Sequence, residues 1–167
     1  MLEMERIFLI RPEAAANLTG APGYENLRGQ VLFYPAPGGT IVVAQVEGLP
    51  GDGFFGIHLH QGDNCRTRQE PFDGAGAHWG LPGQLHPEHL GDLPVLLAKN
   101  GKAWSAVWTG RFLPSQARGH TVIVHRCPTE SDRINLIKNT IVSPHYSSIL
   151  SVSAINYAPA DHSLFYY

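Results

Sequence analysis

Apolar and polar residues along this chain alternate in short runs punctuated by glycine and proline, a pattern that predicts strands and almost no helix. Gln30-Val31-Leu32-Phe33-Tyr34 and Thr40-Ile41-Val42-Val43-Ala44-Gln45-Val46 flank Pro35-Ala36-Pro37-Gly38-Gly39, which predicts a hairpin. Gly53-Phe54-Phe55-Gly56-Ile57-His58-Leu59-His60 reads as a further strand. So does Lys102 to Trp108, after the turn signal Lys99-Asn100-Gly101, and so does Thr121 to His125. From His78 to Asp92 the residues Gly80, Pro82, Gly83, Pro87 and Gly91 break any periodicity, and a long loop is expected. Glu3 to Asn26 reads as a leader to the folded region, and Thr140-Ile141-Val142 and Ser148 to Val152 are strand-like runs near the end.

Composition narrows the class. The 167 residues suit a single domain (1–167) with a core of its own, and 18 glycines and 13 prolines between β-branched runs suit a sandwich or barrel. The net charge is −2 without a basic run, so nothing points to nucleic acid. No apolar stretch is long enough to span a membrane. Ile7-Phe8-Leu9-Ile10 is short and closed by Arg11, unlike a secretory leader, so the chain reads as cytoplasmic or as a mature form.

The chemistry lies in six histidines and one aspartate: His58, His60, His78, His86, His89, His125 and Asp92. Histidine is the commonest nitrogen ligand for zinc and copper, and a zinc site tolerates a carboxylate oxygen. On a strand, His58 and His60 project to one face, roughly 6.5–7 Å apart at Cα. Seven ligands are one short of two four-coordinate sites, and the gap closes if one imidazole gives a nitrogen to each metal. His78, His86, His89 and Asp92 make an N3O set for zinc, and His58, His60, His78 and His125 an all-nitrogen set for copper. His78 lies between the two groups. Each residue alone has an ordinary explanation: a solvent-facing pair, loop histidines, a turn aspartate, a strand end. All of them together do not. His120, His145 and His162 fit no such pattern.

Gly53 to Cys65, Gly76-Ala77-His78-Trp79, His89-Leu90-Gly91-Asp92-Leu93 and Gly119 to His125 resemble the copper/zinc superoxide dismutases, in particular bacterial members with shortened loops. The resemblance covers about residues 28–125. It implies an all-β, Greek-key β-barrel of eight strands with the metals outside one face, and conversion of superoxide to dioxygen and hydrogen peroxide. It assigns copper to His58, His60, His78 and His125, and zinc to His78, His86, His89 and Asp92.

Residues 126–167 depart from the family as an atypical tail, as a shifted frame or replaced C-terminus would, and they leave the last strand unidentified. Cys65 matches the loop cysteine of the family disulfide, whose partner normally lies in an Ala-Cys-Gly strand. The other cysteine here is Cys127, so pairing is not implied and two free thiols are expected. The family's acidic residue behind the metals falls at Thr129, with Glu130 and Asp132 beyond. No basic residue matches its anion-guiding position, for which Arg133 and Lys138 qualify by charge alone.

Two other classes remain open. A mononuclear zinc hydrolase or cupin-type oxygenase also uses His-x-His on a strand, but leaves His86, His89 and Asp92 unexplained and offers only Asp63 as a nearby carboxylate. A non-enzymatic copper/zinc-binding domain of the same fold would keep the ligands and lose turnover.

Overall fold

Asn100 and Gly101 both take positive φ, 52° and 70°. This is the backbone of a primed two-residue turn, whose twist matches that of the strands it joins. It folds Leu96–Lys99 (β5) back onto Lys102–Thr109 (β6), with Lys99 opposite Lys102. The hairpin expected around Pro37-Gly38 also forms. Arg28–Ala36 (β2) pairs with Gly39–Glu47 (β3) from Arg28↔Glu47 to Ala36↔Gly39, and Gly38 has φ 70° at the tip.

The computed structural model describes residues 11–65, 72–126 and 149–157. Its remaining strands are Ala14–Gly20 (β1), Gly53–His60 (β4), Thr121–Arg126 (β7), Ile149–Ala154 (β8) and the two-residue Asn156–Tyr157 (β9). A single helical turn, Pro114–Ala117 (α1), precedes β7. The strands are antiparallel in the order β2-β3-β6-β5-β4-β7-β8-β1-β9, and β1 also pairs with β2, which closes the sheet on itself. The Greek-key crossing is the passage from β3 to β4, which leaves β5 and β6 to fill the space between. Among the described residues no helix is long and apolar enough to cross a membrane.

Two expectations change. The leader read over residues 3–26 contains β1, a wall strand of the barrel. Alanine has low strand propensity, so Ala14-Ala15-Ala16 carried no strand signal. The barrel nevertheless needs small side chains where it closes, and Ala14, Ala16 and Leu18 are fully buried there. The tail supplies the last strand after all. β8 fills the gap between β7 and β1, pairing Ile123 with Val152 on one side and Thr19 with Val152 on the other, so the strand the sequence left unidentified covers what would otherwise be an open edge.

The core positions β4. Phe55, Ile57 and Leu59 point inward and are buried with Phe33, Leu96, Val122 and Val124. By strand alternation Gly56, His58 and His60 point out of the barrel. His58 and His60 are nonetheless buried, because the connection from β4 to β5 folds back over them. No helix interrupts residues 77–92, as the sequence predicts.

Candidate metal centre

The main chain at Leu59 organises the site. Leu59 N–H donates to Gly91 O (2.9 Å), Trp79 N–H donates to Leu59 O (2.8 Å), and Gly91 N–H donates to Trp79 O (2.8 Å). This triangle docks two separate stretches of the long loop on β4. His60 thereby comes opposite His78, and His58 opposite Asp92, as isolated antiparallel bridges. Gly91 is required by close approach: a Cβ there would lie 2.5 Å from Leu59 O. From the other side β7 pairs Gly56 with His125. A Cβ on Gly56 would sit 3.1 Å from His58 Cε1 and 3.6 Å from His125 Cβ, so the glycine leaves room for the two imidazoles.

The six rings and the carboxylate converge. Ligand atoms of His58, His60, His78 and His125 lie within 4.8 Å of one another, and so do those of His58, His78, His86 and Asp92. His89 joins the second group through Asp92. Asp92 Oδ2 accepts from His89 Nδ1 (2.8 Å) and lies 3.0 Å from His86 Nδ1, while Oδ1 accepts from His78 Nδ1 (2.8 Å). The residues of the expected zinc set thus gather on one carboxylate whose side chain is 2 % exposed. His78 is the hub, its ring centroid 4.2 Å from His58, 4.8 Å from His60, 5.6 Å from His86, 5.4 Å from His89 and 5.8 Å from His125.

The donors suit cations. His60 Nδ1 donates to Gly76 O at 2.7 Å. A carbonyl only accepts, so the proton sits on Nδ1 and Nε2 carries the lone pair. That Nε2 lies 3.2 Å from His125 Nε2, close to the roughly 3.3 Å between nitrogens that share a tetrahedral ion at 2.0–2.1 Å. His58 Nδ1 is buried with no hydrogen-bond partner among the described residues. An orphaned buried nitrogen costs free energy unless something binds it. Burial, reinforced by His78 and His125, pushes the His58 pKa down to about 2, and burial lowers that of His78 as well. Both are held as neutral imidazole, the form that ligates metal. Burial would raise the Asp92 carboxyl, but the hydrogen bonds from His89 and His78 outweigh it and keep it ionised.

Three residues outside the predicted ligand set join the site. His120, read as ordinary, stacks on Trp79 (4.2 Å, 26°), and its Nδ1 lies 3.1 Å from His60 O and 3.2 Å from Gln61 O, tying the start of β7 to the end of β4. Arg111 reaches the loop from the far end of β6. Trp79 in turn packs on Phe112 of the core at 5.3 Å. Cys65 is a half-buried thiol whose pKa is raised by burial. Cys127, Thr129, Glu130, Asp132, Arg133, Lys138, His145 and His162 lie outside the described residues.

Comparison with known proteins agrees with the geometry. The sequence pattern of the family Copper/zinc superoxide dismutase (SODC) matches residues 27–141. It therefore runs past His125, the end of the resemblance read from the sequence. Comparison with curated proteins gives no match. Among solved structures the chain is similar to the Cu/Zn superoxide dismutase from Brucella abortus, with 23% identity and a TM-score of 0.63 over 86% of this chain and 100% of that one. The barrel, the match and the histidine cluster lead to one conclusion: the chain belongs to the copper/zinc superoxide dismutase family.

Proposed function

We propose that the protein dismutates superoxide at a copper/zinc pair that shares His78. In this reading His58, His60, His78 and His125 hold copper, and His78, His86, His89 and Asp92 hold zinc. The observation that carries it is His78, whose ring approaches every other histidine of both sets while its Nδ1 faces Asp92 at 2.8 Å. With Nδ1 turned to Asp92, Nε2 is the nitrogen that would remain for copper.

Copper supplies one-electron redox chemistry in both directions, and zinc supplies charge without redox chemistry of its own. The chain's residues do the rest. Two superoxide ions and two protons yield one dioxygen and one hydrogen peroxide, so protons must be at hand when peroxide forms. His78 holds one at Nε2 in one half of the cycle and gives it up in the other. Asp92 fixes the Nδ1 side of that ring, so the imidazole returns to the same orientation each time. His60 is oriented by its bond to Gly76 O. His58 and His125, buried beside it, cannot drift into solvent. His86 is the exposed member, its side chain 55 % open at the rim.

The test loads metal-free protein with one equivalent each of copper and zinc and follows superoxide decay by stopped flow. Catalytic decay that needs copper supports the reading. Stoichiometric uptake of both metals without turnover would leave a metal-binding domain of this fold and sink the enzymatic claim. Uptake of one zinc and no copper would return the mononuclear hydrolase.

A further inference from the structure

The three bonds made by Arg111 are the strongest feature of the molecule that the family chemistry leaves unused. Its Nη1 donates to Pro87 O (3.0 Å), His89 O (2.9 Å) and Asp92 O (3.0 Å). One guanidinium NH2 has two protons, so three carbonyls share them in three-centre bonds. The acceptors follow a pattern. Two belong to His89 and Asp92, and the third to the residue after His86. One cation thus grips the backbone beside each of the three ligands that the zinc reading does not share with copper.

The arm is anchored as firmly as the grip. Arg111 N–H donates to Thr109 Oγ1 (3.2 Å), and the next residue, Phe112, is buried in the core. Phe112 O accepts from the buried Thr40 Oγ1 at 2.7 Å. Arg111 therefore links the barrel wall to a loop with no regular structure of its own. Its own exposure means that its charge remains solvated. An exposed ion pair of such a residue is worth little, but these acceptors are main-chain carbonyls and the bonds hold loop geometry. Each backbone residue fixed in advance is one the ion need not order on binding.

We propose that Arg111 is a positioning residue for the second metal: it holds His86, His89 and Asp92 in the binding arrangement before the ion arrives. The inference rests on the two-metal reading above and adds to it which residue outside the ligand set tunes one site alone.

The experiment compares the full chain with Arg111→Gln and Arg111→Lys, titrating Zn2+ and Cu2+ separately against a competing chelator. Co2+ in place of Zn2+ reports ligand geometry through its visible bands. In Arg111→Gln, Zn2+ affinity should fall about 10–100-fold, the range found when a ligand's supporting partner is lost. Cu2+ affinity should stay within about twofold, because those ligands do not touch Arg111. The cobalt bands should shift or broaden. Arg111→Lys, which keeps three donors on a shorter arm, should recover part of the zinc affinity. In the metal-free protein, amide exchange over residues 86–92 should quicken in Arg111→Gln while β4 and β7 stay protected. Unchanged zinc affinity overturns the proposal. So does an equal fall for both metals with a lowered melting temperature, which would make Arg111 a general fold contact. A native chain that takes up no zinc overturns the two-metal reading, and this proposal falls with it.

Discussion

His78 Nδ1 lies 2.8 Å from Asp92 Oδ1, across a bridge between two parts of one loop that share no regular structure. Asp92 is the one carboxylate among the ligand candidates, and it gathers His86 and His89 as well. Asp92→Ala should therefore lose zinc and loosen residues 78–92 while copper stays bound through its imidazoles. Apparent stability should drop too, because binding free energy at such a site is also folding free energy, worth about 4 kcal/mol at a thousandfold excess over the dissociation constant. Elemental analysis decides: unchanged zinc in the mutant rejects the assignment.

His125 approaches His58, His60 and His78, and its ligand atom clusters with theirs. His125→Ala should abolish superoxide turnover and lower copper content, with zinc near one equivalent. A mutant that keeps dismutation would remove His125 from the copper set.

Gly91 tests whether β4 templates the loop. A methyl there would meet Leu59 O at 2.5 Å and Leu59 Cβ at 2.9 Å, both on a strand that cannot move aside. Gly91→Ala should cost about 1–3 kcal/mol, as overpacking does. It should also weaken both metals together, since the displaced triangle carries His78 and Asp92. Chemical denaturation and metal titration on the same variant check this; full affinity for both ions would mean the loop docks without that contact.

Acid should destabilise the metal-free protein. His58 in the folded state has its pKa lowered to about 2, against about 6.5 unfolded, so below pH 6.5 the unfolded chain binds a proton that the fold refuses. Stability is then lost as pH falls, by at most about 1.4 kcal/mol per pH unit from this histidine, until the folded group protonates as well. His78 and Asp92, both lowered, act with the same sign. Urea midpoints for metal-free protein should fall between pH 7 and pH 5 and fall less in His58→Gln. Midpoints that are flat, or that rise with acid, contradict the burial of these rings.

The sequence by itself singled out the histidines and the aspartate that converge, and most of the walls. His58 and His60 share a face because strand alternation has period two, and that rule needs no fold to apply. Asn100-Gly101 and Gly38 fix their turns locally, since few residues tolerate positive φ. Other features were decided only when distant segments met. Ala14-Ala15-Ala16 becomes a strand because barrel closure needs small buried residues, which overrides weak propensity. The last strand is defined by the vacant edges of β7 and β1, whatever its resemblance to the family. Arg111 and His120 look like surface residues in one dimension. Their partners are main-chain carbonyls 19 to 60 positions away, and a carbonyl leaves no mark in a sequence. Side-chain chemistry was legible from residue identity; the backbone groups that aim it became visible only once the chain had folded.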